Sequence, residues 1–456
     1  MERTIAAIST PQGNGGIAVI RISGNDAVKV ADKVFFGSKR LADCDTHTVH
    51  YGFIKNEKGE KVDEVLATVM LAPKTFTRED VVEISTHGGS TASRAVLDTI
   101  IRAGAYMAEP GEFTKRAFLN GRLDLSQAEA VIDMIRAKTD KSFDVAVSQL
   151  EGRLSLKVEE IRQKLLDLLV DITVNIDYPD EDIEEMTYEK LEESIVEPQD
   201  MIEKLLATSS TGKMIREGIK IAIVGKPNVG KSSLMNGLLK ETRAIVTDIP
   251  GTTRDTIEEV LSIRNIPVYL VDTAGIRETS DKVEKMGIEK SKEAFNQADF
   301  ILFLLDGSRP LEEEDLQIME LLKERKSLVL INKRDLGEAI SIEEIVAKLP
   351  ASQVIEASLL KGQGITEIED AVEDLVYGGE IVQKESMMVN NVRHIELLQQ
   401  AVNSLTDALH MSEGREALDF IEVDVKNAYE RLGEIIGETV SDDIINEVFA
   451  RFCLGK

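Results

Sequence analysis

The stretch Gly225-Lys226-Pro227-Asn228-Val229-Gly230-Lys231-Ser232-Ser233 constrains this chain more than any other. An apolar run, Lys220 to Val224, enters it, and a helical pattern from Ser232 leaves it. The pattern G-x-x-x-x-G-K-[ST] between a strand and a helix is a phosphate cradle. Its two glycines let backbone N–H groups wrap a phosphate chain, Lys231 supplies a point charge, and the Ser232 hydroxyl suits Mg²⁺. Asn228, Val229, Gly230 and Ser233 complete the set.

Around the cradle, apolar strands at Ile221–Val224, Val268–Val271, Ile301–Leu305, Leu328–Ile331 and Val354–Ile355 alternate with helical patterns. That alternation predicts a doubly wound sheet with chemistry at the C-terminal strand ends. Asp272-Thr273-Ala274-Gly275 puts an acid where it reaches Mg²⁺ through water, and a glycine whose N–H faces a γ-phosphate. Asn332-Lys333-Arg334-Asp335 is similar to the guanine-reading element of GTPases. Asp335 would accept from the guanine ring N–H and amine, a bidentate match that adenine lacks. Ser358-Leu359-Leu360 stands where GTPases carry Ser-Ala-Lys, so the last base contact falls to Ser358 or its backbone N–H. Between cradle and Asp272, the run Thr247-Asp248-Ile249-Pro250-Gly251-Thr252-Thr253-Arg254-Asp255 resembles a switch segment, with Thr253 as the second Mg²⁺ ligand. The position after Gly275 holds Ile276, which cannot orient water, so hydrolysis needs another group. The expected nucleotides are GTP and GDP.

A chain of 456 residues exceeds one ordinary domain. Cys44 and Cys453 are far apart, so no disulfide framework is implied and a reducing compartment is expected. No signal-like or membrane-spanning apolar run is visible, which makes a cytoplasmic protein the expectation. The net charge of −28 argues against general affinity for nucleic acid or anionic membrane. Residues 1–120 carry 15 basic and 15 acidic side chains, so the whole excess lies beyond them. Ile176–Asp200 alone holds 11 acids against Lys190. Any nucleic acid must meet a local patch or a partner protein.

Residues 1–120 read as an N-terminal α/β domain, with helices at Ala27–Val34 and Thr91–Ala103 among short strands, and glycine turns at 13–16 and 87–89. From Leu123 the pattern turns helical. Asp124 and Gln127 form a capping box, and an apolar stripe from Phe143 to Ile176 predicts one long helix ending before Pro179. Ser209-Ser210-Thr211-Gly212 reads as a linker. Helical periodicity returns beyond Ile381. The simplest architecture is a discontinuous helical domain, 121–214 plus 381–456, with a Ras-like G domain inserted at 215–380.

Taken together, Gly-Lys-Pro-Asn-Val-Gly-Lys-Ser, Gly-Thr-Thr-Arg-Asp, Asp-Thr-Ala-Gly-Ile-Arg-Glu-Thr and the terminal Phe452-Cys453-Leu454-Gly455-Lys456 resemble the MnmE (TrmE) family of tRNA modification GTPases over essentially the whole chain. The family ends Cys-Ile-Gly-Lys, so Leu454 is a conservative departure. The resemblance implies a homodimer that works with the FAD protein MnmG, in a heterotetramer or larger complex, on the wobble uridine of certain tRNAs. It implies that an aminomethyl or carboxymethylaminomethyl group is installed at C5 with a tetrahydrofolate as one-carbon donor, and that the N-terminal domain dimerises and binds 5-formyl-tetrahydrofolate or another reduced folate. It further implies K⁺ held by Asn228 with carbonyls near Thr247, Ile249 and Thr252, and Glu284, of the acids Glu278, Asp281 and Glu284, orienting the attacking water. Arg21, Glu83, Arg122 and Lys456 would line the folate site, and Cys453 would lie beside it as a catalytic thiol. The alternative is a regulatory switch of the ribosome-assembly type, which shares the cradle and Gly-Thr-Thr-Arg-Asp. Such factors often carry an RNA-binding appendage or a second G domain, and this chain shows neither.

Overall fold

The computed structural model describes residues 3–11, 13, 15–177, 187–241, 259–272, 298–323, 325–378 and 388–456. They form two compact units. The first comprises Met1–Ile135, Gln149–Pro198 and Asn403–Lys456; the second comprises Arg136–Ser148 and Gln199–Val402.

In the first unit, a sheet is built from β1 (Ile5–Ile8), β2 (Ile17–Ser23), β3 (Phe35–Gly37), β4 (Thr48–Lys55), β5 (Lys61–Met70), β6 (Val81–His87) and β7 (Tyr106–Met107). Their spatial order is β3-β4-β5-β6-β2-β1-β7. Alternation along the strands buries Ile20, Ile22, Val82, Ile84, Val65 and Ala67, in one core with helices Ala27–Val34 and Ser90–Arg102. The opposite residues of β2 and β6, Arg21 and Glu83, face each other in register.

The capping box forms as expected. Asp124 N–H donates to Gln127 Oε1 at 3.0 Å, and Gln127 N–H to Asp124 Oδ1 at 2.8 Å. The single long helix does not form: it is split into Asp140–Leu150 and Arg153–Asp177. The cause is Gly152 at φ +83°, a left-handed position that ends the first helix, while the Gln127 side chain takes the carbonyl of Leu150 at 3.0 Å. The stripe is accordingly interrupted, with Phe143 exposed and the continuous buried face running from Leu154 to Ile172. That face packs along helix Leu418–Ile436, where Thr173 donates to Glu422 at 3.0 Å, and Arg162 pairs with Glu438 just past the helix end. Helix Leu125–Arg136 buries Leu125, Ala128 and Ile132 with Ile445, Phe449 and Phe452.

The second unit holds β8 (Ile219–Val224), β9 (Glu259–Ile263), β10 (Ile266–Asp272), β11 (Phe300–Asp306), β12 (Ser327–Asn332) and β13 (Gln353–Glu356). Their order is β13-β12-β11-β8-β10-β9. The pairings are parallel except β9 with β10, so the doubly wound sheet carries an antiparallel edge strand that the apolar-run reading missed. β12 is buried along its whole length between helical layers, which is why such strands read as continuous apolar runs. Residues 209–212 are not a linker. They open helix Ser209–Glu217, in which a Cβ on Gly212 would sit 2.4 Å from the Val389 carbonyl, so the glycine serves a close approach of two backbones. No described helix is long and apolar enough to cross a membrane.

Candidate functional site

Because β8, β10, β11, β12 and β13 run parallel, their C-terminal ends gather at one edge of the sheet. The cradle leaves β8 there. Gly225 and Gly230 have φ of +153° and +112°, and a Cβ would lie 2.5 Å from the Leu304 carbonyl or 2.2 Å from Asn332 Nδ2 respectively. Only glycine fits either place. Asn228 also takes positive φ, at +64°. Helix Lys231–Glu241 begins on the lysine, so the N–H groups around Ser232 and Ser233 belong to its first turn, which favours an anion. Lys231 Nζ folds onto the loop, donating to Gly225 O at 2.5 Å and Lys226 O at 3.1 Å.

Residues 332–335 leave the end of β12, and each grips a different element. Asn332, buried, donates from Nδ2 to the Val229 carbonyl at 2.8 Å and accepts Leu359 N–H on Oδ1 at 3.1 Å, tying the loop after β12 to the cradle. Lys333, at φ +64°, reaches Asp306 at 2.7 Å. Burial pushes the Asp306 carboxyl up, but bonds from Lys333 and Ser308 outweigh it and hold it below the usual range. Arg334 pairs with Glu356 on β13. Asp335 accepts from Ser358 Oγ at 2.8 Å, and that bond holds its carboxyl low against a smaller opposing effect of burial. Ser358 is therefore joined to Asp335.

Asp272 ends β10 opposite Ile223 of β8. The switch residues Thr247, Asp248, Ile249, Pro250, Gly251, Thr252 and Thr253, then Thr273, Ala274 and Gly275, and the acids Glu278, Asp281 and Glu284, lie outside the described residues.

A second constellation lies in the first unit. Arg21 contacts Glu83 Oε1 from Nε and from Nη2, each at 2.8 Å. The Arg21 guanidinium stands 5.7 Å from the Phe76 ring centre and 5.6 Å from that of Phe113. Arg122 covers the same Phe76 ring at 4.7 Å and donates to its carbonyl at 3.0 Å. Burial, with Arg78 adding repulsion, lowers the Arg122 pKa. Phe113 N–H donates to the Lys456 oxygen at 3.2 Å, and Gly455, at φ +87°, passes so close to β1 that a Cβ would be 2.3 Å from the Ile8 carbonyl. Cys453 is exposed beside the buried Phe452, and its carbonyl accepts from Gly111 N–H at 3.4 Å.

Phe76 and Phe113 escaped the sequence reading, since a lone phenylalanine carries no chemical signature. The strap bearing Phe76 is held from beneath. Arg116, 6% exposed, gives both Glu79 oxygens a bond at 3.0 and 3.2 Å, and Glu79, 7% exposed, also accepts from Ser23 at 2.7 Å.

The oxygen-rich and cationic character of both places suits the expected ligands. The glycines and Lys231 fit a polyphosphate, and the Ser232 hydroxyl and Asn228 amide are hard donors that fit Mg²⁺ and K⁺. The carboxylate of Glu83 suits a heterocycle that presents N–H donors, and the guanidiniums over aromatic rings suit an anionic tail attached to it.

Residues 125–453 match the MnmE helical domain family, and residues 4–122 match the GTP-binding protein TrmE N-terminus family. The tRNA modification GTPase MnmE of Alkaliphilus metalliredigens is 51% identical over 459 residues, covering 100% of both chains. That of Geobacillus kaustophilus is 51% identical over 457 residues, covering 99% of both. Among solved structures, the G domain of the T. maritima FeoB iron transporter is 24% identical, covers 34% of this chain and 97% of that one, and has a TM-score of 0.27.

Proposed function

This chain belongs to the MnmE family of tRNA modification GTPases, and from that premise we propose how its residues divide the work. It is a GTP hydrolase acting in tRNA modification. Its finer function, in this reading, is K⁺-stimulated GTP hydrolysis that serves C5 modification of the wobble uridine, carried out in the cytoplasm by a homodimer with the FAD protein MnmG. The full-length correspondence leaves a ribosome-assembly switch without support.

Lys231 meets the outer phosphates while it keeps the loop carbonyls of Gly225 and Lys226, and the N–H groups around Gly230 and Ser232 wrap them. Asp335, its carboxylate held by the Ser358 hydroxyl, reads guanine, with Asn332 and Lys333 fixing the loop that carries it. Ser232 and Thr253, with Asp272, would hold Mg²⁺, and Asn228 and the carbonyls at Thr247, Ile249 and Thr252 would hold K⁺. When bound, the two cations neutralise charge developing on the β/γ-phosphates. Glu284 orients the attacking water in the place that Ile276 cannot fill.

The observation that carries the rest is the convergence of Arg21, Glu83, Arg122 and the Lys456 end on Phe76 and Phe113, from positions spread over nearly the whole sequence. Both Arg21 contacts end on Glu83 Oε1, and Oε2 is the oxygen we assign to the pterin amine of a reduced folate. Arg122 and Lys456 meet its glutamate tail, and Cys453 stands beside the one-carbon unit. The test is complementation of a gene deletion followed by tRNA nucleoside analysis. The wild type restores C5-modified wobble uridine, whereas Cys453→Ser retains GTPase activity and does not. Full modification by Cys453→Ser reduces that cysteine to a surface residue.

A further inference from the structure

The second residue of the cradle, Lys226, is tied by its side chain to a helix that takes no part in the nucleotide motifs. Its Nζ lies 2.6 Å from Asp315 Oδ2 and 2.9 Å from Glu312 Oε2, at the start of helix Glu313–Leu322. The Asp315 and Lys226 side chains are 4% and 16% exposed, while Glu312 is 62% exposed, so Asp315 is the principal partner. Asp315 Oδ2 also accepts Glu312 N–H at 3.0 Å, and its Oδ1 is buried with no hydrogen-bond partner.

A buried carboxylate with one oxygen unsatisfied is a costly way to join a loop to a helix, and a packed apolar pair would hold them as well. What an apolar pair cannot supply is a fixed direction. The charge-assisted bond sets where Lys226 stands, and the backbone of Lys226 then sets Lys231: the Lys226 and Gly225 carbonyls both accept from Lys231 Nζ. A line of contacts runs from Asp315 through the Lys226 side chain and carbonyl to the ammonium of Lys231. Burial works against the charge on Lys226, but the bonds to Asp315 and Glu312 outweigh it and raise its pKa, so Lys226 is a cation at neutral pH.

We propose that Lys226, anchored by Asp315, is a positioning residue for Lys231 and so sets the affinity of the cradle for nucleotide phosphates. The proposal rests on the reading of Lys231 as a phosphate ligand, and one control separates the two. Neither Lys226 nor Asp315 touches the nucleotide in this scheme; both act through the loop.

The experiment is calorimetry of GDP binding to the full chain, with a thermal scan of each variant. Lys226→Met keeps the aliphatic stem and removes the charge. Asp315→Asn keeps an acceptor for Glu312 N–H and removes the charge. Each weakens GDP binding about tenfold, the scale of one charge-assisted hydrogen bond. The double variant loses no more than about tenfold, because both changes break one link. Lys226→Arg retains charge and reach, and binds within about twofold of wild type. Unchanged affinity in a folded Lys226→Met variant overturns the proposal, as does a double variant weakened about a hundredfold, the product of two independent losses. Lys231→Ala is the control. If it binds GDP as wild type does, the phosphate role of Lys231 falls; if it fails to bind while Lys226→Met is normal, only the positioning role falls. Should Asp315→Asn unfold, Lys226→Met and Lys226→Arg decide the matter.

Discussion

The hydroxyl of Ser358 donates to Asp335 Oδ1 at 2.8 Å, joining the loop after β13 to the acid proposed to read guanine. Ser358→Ala removes the side-chain hydrogen bond that orients Asp335, so guanine-nucleotide affinity falls roughly fivefold. The pH dependence follows from the direction of the shift. Asp335 must be ionised to accept from guanine, and the Ser358 bond lowers its pKa. Binding is therefore fully present at neutral pH and is lost as pH falls through that lowered value. Ser358→Ala raises it, so the acid loss of binding begins at a higher pH. Nucleotide titrations between pH 3 and pH 7 check both; identical acid limbs would remove Ser358 from the base site.

Gly230→Ala would put a Cβ 2.2 Å from Asn332 Nδ2 at a φ of +112°. Both the left-handed backbone and the clash oppose it, and relief requires Asn332 to release the Val229 carbonyl. The expected outcome is loss of GDP binding by about a hundredfold or more, beyond the roughly 1 kcal/mol of the glycine's backbone freedom alone. Calorimetry measures it, and wild-type affinity in this variant would mean that the cradle tolerates another shape.

Monovalent cations test the Asn228 reading. GTP hydrolysis proceeds faster in K⁺ than in Na⁺ at equal ionic strength, and Asn228→Ala abolishes the difference. Glu284→Ala keeps GTP affinity and loses about a hundredfold or more in turnover, the range of general-base contributions. Equal rates in the two salts remove the K⁺ site, and unaltered turnover in Glu284→Ala removes Glu284.

The buried pair Arg116–Glu79 gives a prediction for stability. Arg116→Met leaves a carboxylate that is 7% exposed without its cation and costs about 3–5 kcal/mol. The double variant Arg116→Met with Glu79→Gln costs less than the two single changes added. Hydrogen exchange through β1–β6 of the full chain follows the loss, and additive losses would show that the pair does not act as a unit.

Glu83→Ala tests the folate reading directly. With Oε2 gone and Arg21 left without its carboxylate, calorimetry with 5-formyl-tetrahydrofolate shows binding weakened about tenfold or more, as expected for a charged hydrogen-bonded contact. GTP hydrolysis is unaffected. Undiminished folate binding would exclude Glu83 from the site.

Much of this molecule was legible in its residue order, because the relevant physics is local. The apolar runs became β8 and β10–β13, and Asp124 with Gln127 formed the capping box, since strands, caps and turns are set by neighbours in sequence. The glycine loop after β8 and the turn at Asn332–Asp335 were readable for the same reason: each is a run of consecutive residues at a strand end. Local signals also misled. The apolar period ran through Gly152 because a periodicity count does not register a left-handed break, and residues 209–212 read as a linker because the approach of Val389 that requires Gly212 comes from far along the chain. The antiparallel strand β9 was missed beside its stronger neighbour. What the tertiary structure alone decided is which distant groups meet: Asp315 with Lys226, Ser358 with Asp335, Arg116 with Glu79, and the chain's end with Phe113. Each is a contact between charged or polar groups whose partners lie on other elements. Side-chain reach is a few ångströms, so such pairs exist only once the sheets and helices have brought the backbones together.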